Sequence, residues 1–150
     1  MERPELSAAI DAAAEALVGV LDSAVHRHRL AVSPTQLRVL SLLRVRPETN
    51  VNGLAELLDV VPSSASRLCD RLEAIGLVRR TVDPRDRREV RLAPTAAAEV
   101  LLEEVRCRRH EAVRAVLERM PVRGQQELLG ALVAFGQAAT TAQSAATRST

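Results

Sequence analysis

The hydrophobic positions of this chain fall into helical-period stretches separated by short polar links. Leu6, Ile10, Ala14, Leu17, Leu21, Val25 and His28 recur in steps of three and four, which predicts an amphipathic helix over residues 4–29. Val18 and Val20 widen its apolar surface beyond one stripe. Such a helix packs either on its own core or on a helix of a second subunit. Ser33-Pro34 is a helix start, a capping hydroxyl followed by a proline whose fixed φ suits the first helical position. The helix it opens carries Leu37, Leu40 and Leu43, with Val39, Leu42 and Val45 adding to its apolar surface, and stops before Pro47. Residues 46–51 read as a loop, with Val51 as the place for a very short strand. Asn52 is the expected cap of the next helix, whose inner face is Leu54, Leu57 and Leu58.

Asp59-Val60-Val61 turns the chain into a further helix at Pro62, and two short helices joined by a tight turn are a helix-turn-helix. Ala65, Leu68, Leu72 and Ile75 form its apolar stripe, while Ser63, Ser66, Arg67, Asp70 and Arg71 fall on the other face. Val61 stands where a capping hydroxyl would be expected, and Gly76 suits the residue just past the end. Residues 77–82 read as a strand, Asp83-Pro84-Arg85-Asp86 as a turn, and residues 87–92 as a return strand with Val90 and Leu92 on one face. Two more helices follow, over 94–119 and from Val122 to about Ala139. The first uses Val100, Leu101, Val105, Ala112, Val116 and Leu117 and is charged over much of its circumference. The second uses Leu128, Leu129, Leu132, Val133 and Phe135. The small polar tail, 141–150, is expected to fray.

Composition narrows the functions open to this pattern. At 150 residues the chain is one domain or two tightly joined lobes. Hydrophobic residues make up 47%, and with a single aromatic, Phe135, the core must be aliphatic. The absence of Tyr and Trp argues against single-stranded nucleic acid, which is held on stacking platforms. Every basic side chain other than histidine is Arg. That suits bidentate contacts to phosphate and guanine, and GC-rich codon usage explains it equally well. Residues 62–92 carry eight Arg against five acids, a balance of +3 in a chain whose total is +2, so positive charge is concentrated in the helix and hairpin. A helix fits the major groove, and an arginine-bearing hairpin tip fits the backbone or minor groove. No apolar run spans a bilayer and the N-terminus has no signal-peptide pattern, so no membrane partner and a cytoplasmic location are expected. Cys69 and Cys107 make no disulfide framework. No phosphate loop, nucleophile elbow or HExxH motif is present, so an enzyme is not expected, nor a cofactor.

Three pieces, SPTQLRVLSLL (33–43), NGLAELLDVVPSSASRLCDRLEAIGLVRR (52–80) and DPRDRREVRL (83–92), resemble the MarR family of winged helix-turn-helix transcriptional regulators. The resemblance implies a mainly α fold with a small β-hairpin wing, dimerising through its N- and C-terminal helices. Residues 1–32 would be a dimerisation helix, 33–93 the DNA-binding domain, 94–140 further dimerisation helices and 141–150 a flexible tail. The implied partner is double-stranded DNA, bound as a homodimer at a pseudo-palindromic operator, most simply for repression. On that reading Ser63, Ser64, Ser66 and Arg67 reach bases and phosphates, and Arg71 touches phosphate one turn further on. Arg85, Arg87 and Arg88 form the wing tip, and Asp86 pairs with Arg88 to brace it. The family's ligand cleft would lie between the first helix, the 34–44 helix and the start of the 94–119 helix, with His26, His28 and Arg38 as candidates for a small-molecule effector. Where the family has Leu-Thr after the wing, this chain has Leu92-Ala93-Pro94-Thr95, so the next helix is expected to start at Thr95 or on Pro94 alone. Cys69 is most simply a small core residue. Cys107 and His110, three apart on a helix, could share a metal with a third ligand from elsewhere, so a metal-responsive regulator stays open; no metal site is assigned. The other alternative is a protein-interaction module of the same fold without DNA binding.

Overall fold

The computed structural model describes residues 3–26, 32–83, 85–86 and 89–147, with main chain alone for residue 26 and residues 142–147. His28 and the wing residues Arg87 and Arg88 lie outside the described residues. The described chain forms helices α1 (Arg3–His26), α2 (Pro34–Val45), α3 (Val51–Leu58) and α4 (Pro62–Ala74), strands β1 (Val78–Val82) and β2 (Val90–Pro94), then helices α5 (Ala96–Leu117) and α6 (Val122–Thr147). Two compact units partition it, Met1–Arg109 and His110–Thr150.

The first unit owns the core. Leu40, Leu43, Leu54, Leu72 and Leu92 are sealed from solvent, joined by Val39, Cys69, Val78, Leu102 and Val105. The members come from α2, α3, α4, the hairpin and α5, so the helix-turn-helix, the wing base and the following helix share one aliphatic interior.

Local chemistry explains where these elements begin and end. At α2 the Ser33 hydroxyl accepts from the Gln36 amide (3.2 Å) while the Gln36 side chain accepts from the Ser33 amide (2.8 Å), a reciprocal capping box with Pro34 just inside. The helix stops one residue short of Arg46, which precedes Pro47 and leaves the helical region. The next cap is Asn50 rather than the expected Asn52, with its side-chain oxygen accepting from the Gly53 amide at 2.8 Å. Val51, read as a site for a short strand, is therefore the first helical residue. The strand-like contact sits two residues earlier, where the Thr49 carbonyl accepts from the Leu92 amide at 2.9 Å.

The end of α4 uses the glycine signal. Gly76 has φ +74, the Leu77 amide donates back to the Leu72 carbonyl (2.8 Å), and the Gly76 amide donates to Glu73 (2.9 Å). Leu72 and Leu77 are both buried, which supplies the apolar contact that accompanies this turn. The stripe of α4 differs from expectation in two places, with Leu68 only partly buried beside a sealed Cys69. Its sealed positions are Ala65, Cys69 and Leu72, whereas Ile75 is 50% exposed, because the helix ends at Ala74 and Ile75 no longer follows its phase.

The hairpin pairs Val78 with Pro94, Arg80 with Leu92 and Val82 with Val90 in antiparallel register. The return strand thus starts at Val90, later than the expected residue 87, and runs through Pro94. Leu92 is buried, but Val90, nearer the tip, is exposed along with its partner Val82. Thr95 resolves the start of α5. Its hydroxyl accepts from the Ala98 amide (3.3 Å) and donates to the Gly76 carbonyl (2.6 Å), so it caps the helix and ties it to the end of α4. On α5 the inward residues are Ala98, Leu102 and Val105, while Val100, expected to be apolar packing, is exposed.

In the second unit, α6 runs to Thr147 and so covers most of the stretch expected to fray. The Gln125 side chain donates to the carbonyls of Leu117 and Met120 across the Met120-Pro121 break. Val122, Leu129, Leu132, Val133 and Phe135 are exposed along α6. No helix among the described residues is long and apolar enough to cross a membrane.

Candidate nucleic-acid interface

The solvent face of α4 is built by exclusion. With Ala65, Cys69 and Leu72 turned into the core, Ser63, Arg67 and Arg71 form a row at four-residue spacing, and all three are exposed. Ser64 and Ser66 flank that row and are half-buried. Val61 gives the helix no side-chain cap, Pro62 has no N–H, and the Ser64 and Ala65 amides are taken by the Val61 carbonyl, so the opening turn offers the Ser63 amide beside the serine hydroxyls.

Beside the arginine row run Asp70 and Glu73, which would work against an anionic ligand if left alone. One arginine engages both and offsets half of their charge. Arg80 on β1 places Nη2 2.7 Å from Asp70 Oδ1 and Nη1 2.8 Å from Glu73 Oε2. The hydrogen bond to Asp70 holds the Arg80 guanidinium even more firmly in its charged form. Each such partly exposed pair contributes on the order of a few tenths to 1 kcal/mol. Its larger effect is geometric, since it fastens β1 to α4. Beneath the pair, burial pushes the Cys69 thiol up from its ordinary value, in keeping with a packed rather than a reactive cysteine.

The other face of the hairpin is fastened too, by residues the sequence did not single out. The anticipated Asp86–Arg88 brace involves a residue outside the described set. The brace among the described residues is Asp83 with Arg91. Asp83 is 7% exposed, the one buried polar side chain among the described residues. Its Oδ1 accepts from the Arg85 amide (2.8 Å), and its Oδ2 accepts from Arg91 Nε (2.6 Å) and lies 2.5 Å from Nη2. The Arg85 amide, followed by the Arg91 fork, holds the Asp83 carboxyl below the ordinary carboxylate range. Arg91 also reaches Glu48 Oε1 through Nη1 at 3.2 Å. A sequence signal for this existed: Asp followed two residues later by a backbone donor is ordinary turn chemistry, and Asp83 stands at that position.

Of the eight arginines in the helix and hairpin, Arg80 and Arg91 are thus internal braces. Arg67, Arg71 and Arg85 face solvent, with the Arg85 side chain 79% exposed. The exposed row on α4 and the exposed Arg85 belong to α4 and the hairpin, which share one core.

Away from this surface, a cavity of about 290 Å³ lies among α1, α2 and α5. Val25, Leu37, Leu102 and Val105 give it apolar walls, and Asp22, Arg38 and Arg109 give it charge. Of the effector candidates, Arg38 lines it; the His26 side chain and His28 fall outside the described residues. Arg109, not anticipated, has a buried Nε without a hydrogen-bond partner among the described residues. Among the described residues no group of three or more His, Cys, Asp or Glu is arranged to hold a metal, and Cys107 faces Glu103 Oε1 at 3.7 Å.

Comparison with known proteins agrees with this arrangement. The family model described as MarR family matches residues 32–90. Over 74 residues the chain is 38% identical to the HTH-type transcriptional repressor MdtR of Bacillus subtilis (strain 168). That stretch is 49% of this chain and 48% of the relative, so the match spans about half the length of each. Among solved structures, RV1404 from Mycobacterium tuberculosis is similar with a TM-score of 0.81 at 28% identity, over 92% of this chain and 94% of that one. A MarR family protein from Bacillus stearothermophilus shares the fold with a TM-score of 0.78 at 24% identity, over 91% and 94% of the two chains.

Proposed function

From the match of residues 32–90 to the MarR family model, we propose that the chain is a regulator of that family, a sequence-specific double-stranded DNA-binding homodimeric repressor acting at a pseudo-palindromic operator. The observation that carries this reading is the exposed Ser63–Arg67–Arg71 row on α4, whose flanking acids Asp70 and Glu73 are both bound by Arg80 of the adjoining hairpin. Ser63, Ser64, Ser66 and Arg67 meet base edges and phosphates in the major groove, and Arg71 meets phosphate. Arg85, Arg87 and Arg88 meet the backbone or the flanking minor groove. The repressor name of the Bacillus subtilis relative supports repression over activation.

Dimerisation is supported by the apolar residues left in solvent on two terminal helices, Leu6, Ile10 and Val18 on α1 and the α6 set, each of which has no covering partner among the described residues. A second copy supplies one. Relief by a small molecule is supported by the cavity among α1, α2 and α5, with Arg38 and Arg109 at its charged end.

Binding is tested by fluorescence anisotropy on a labelled duplex that the chain itself retains from random sequence. Affinity should fall linearly on a logarithmic salt scale, as phosphate neutralisation releases counterions. Arg67→Ala should cost about 1–3 kcal/mol of binding with an unchanged melting temperature. Binding indifferent both to salt and to Arg67 would remove the reading.

A further inference from the structure

The link between α2 and α3, residues 46–50, has an arrangement that the helix-turn-helix does not require. Three consecutive link residues each hold a residue on the wing's return side. Glu48 Oε1 accepts from Arg91 Nη1 at 3.2 Å, the Thr49 carbonyl accepts from the Leu92 amide at 2.9 Å, and the Asn50 side chain donates to Glu89 Oε2 at 3.4 Å. Asn50 is at the same time the cap of α3, so whatever the link grips is referred directly to the first helix of the motif. Strand alternation makes the division of labour legible. Arg80 and Leu92 are opposite one another on the hairpin face turned to α4, and Thr81 and Arg91 on the other face. Arg80 fastens the first face to α4, and Arg91 fastens the second to the link.

Arg91 is the pivot. One edge of its guanidinium serves Asp83, and Nη1 serves Glu48, so a five-donor fork is shared between the tip turn and the link. Only 19% of the Arg91 side chain is exposed, against 62% for Glu48, so the pivot is sheltered while its anchor stays in solvent. Asp83 in turn holds the Arg85 amide, the residue at which the exposed tip arginine leaves the hairpin. The chain of contacts runs from the α3 cap region through Glu48, Arg91 and Asp83 to Arg85, with no gap wider than a hydrogen bond. Without the Glu48 end, the hairpin would keep its strand pairing, the Arg80 clamp and the Thr49–Leu92 bond, but Arg91, and through it Asp83 and the Arg85 turn, would lose the tie to the link.

We propose that Glu48 is a positioning residue for the wing: acting through Arg91 and Asp83, it sets the direction in which Arg85 is offered to DNA, without itself touching DNA. The inference rests on the DNA-binding reading for its consequence, and on the free protein for its geometry. Glu48 also stands 3.9 Å from Arg85 Nη1, so the same carboxylate limits where that side chain can go.

Two measurements on the full chain test this. The first uses no DNA. Residue-resolved amide exchange is compared for the unmodified chain, Glu48→Ala and Arg91→Lys. The amides of Asp83 and Arg85 should exchange at least about ten-fold faster in both variants, while those of α4 stay unchanged. Arg91→Lys belongs in the set because lysine keeps the charge and loses the fork, so it should fail to rescue. Unaltered exchange at those two amides, or equal loosening of α4, overturns the proposal. The second uses a duplex retained by the unmodified chain from random sequence. Glu48→Ala and Arg85→Ala should each weaken binding several-fold, and the double variant should be no weaker than the poorer single one. Fully additive losses overturn the positioning role. If the unmodified chain retains no duplex, the DNA-binding reading fails, and the exchange measurement still decides whether Glu48 holds the wing.

Discussion

Residues 32–95 and helix α6 use aliphatic side chains to opposite ends. In the first stretch Leu40, Leu43, Leu54, Leu72 and Leu92 are all sealed by their own chain, and polar side chains close the joints: the capping box at Ser33, the Arg80 clamp on α4 and the Arg91 fork. Along α6, Val122, Leu129, Leu132, Val133 and Phe135 stand in solvent, Phe135 at 65%. The hydrophobic effect scales with apolar area removed from water, so those five leucines realise their stabilisation within one chain, whereas the five named residues of α6 leave much of theirs unrealised there. The contrast fits a protein in which one region reads a surface and the other brings two copies together.

The contrast can be broken most completely at α6. Replacing Leu129 and Phe135 together by Asp should convert the dimer to monomer in sedimentation, since paired charges would have to enter a desolvated interface. The core-facing signals of Leu40 and Leu72 should persist in the monomer, and a dimer that survives would show that this face is not the one covered. A smaller effect is expected from a sealed position. Leu72→Ala should cost about 2–5 kcal/mol in denaturant unfolding, because the cavity it leaves lies among fully packed neighbours, while Leu129→Ala in an obligate monomer should cost little. The finest distinction is a pH effect confined to the wing. The Asp83 carboxyl titrates below its ordinary value, so its contribution is fully present above about pH 4, where the unfolded group would ionise, and is lost as pH falls through the lower folded value. Amide protection at Arg85 should therefore hold from pH 7 down to that point and vanish below it, ahead of any change in α4.

Much of this arrangement can be read before any coordinates. Ser33-Pro34, Pro62 and Gly76 mark helix ends by backbone chemistry that depends on immediate neighbours, and periodicity of three and four finds the buried leucines. Two kinds of feature escape. Phase is lost at element ends: Ile75 fits the stripe arithmetically, but the helix has stopped one residue earlier. Partner choice is lost across distance: Arg91 meets Glu48 from 43 positions away, a pairing set by hairpin register and the placement of the link rather than by spacing. That is why the Asp83–Arg91 brace goes unread in the sequence, and why two of the arginines counted toward a DNA-facing charge are internal. On the α4 side a single Arg80 engages two acids, Asp70 and Glu73, while Arg67 and Arg71 stay in solvent.

The most direct test of the whole reading is a selection of genomic duplex fragments by the purified full-length chain, followed by sequencing and footprinting of those retained. The expected result is an enriched inverted repeat whose half-sites lie about one helical turn apart, protected symmetrically in the major groove with flanking minor-groove contacts. Enrichment of no fragment, or of a single unrepeated site bound by one copy of the chain, would contradict it.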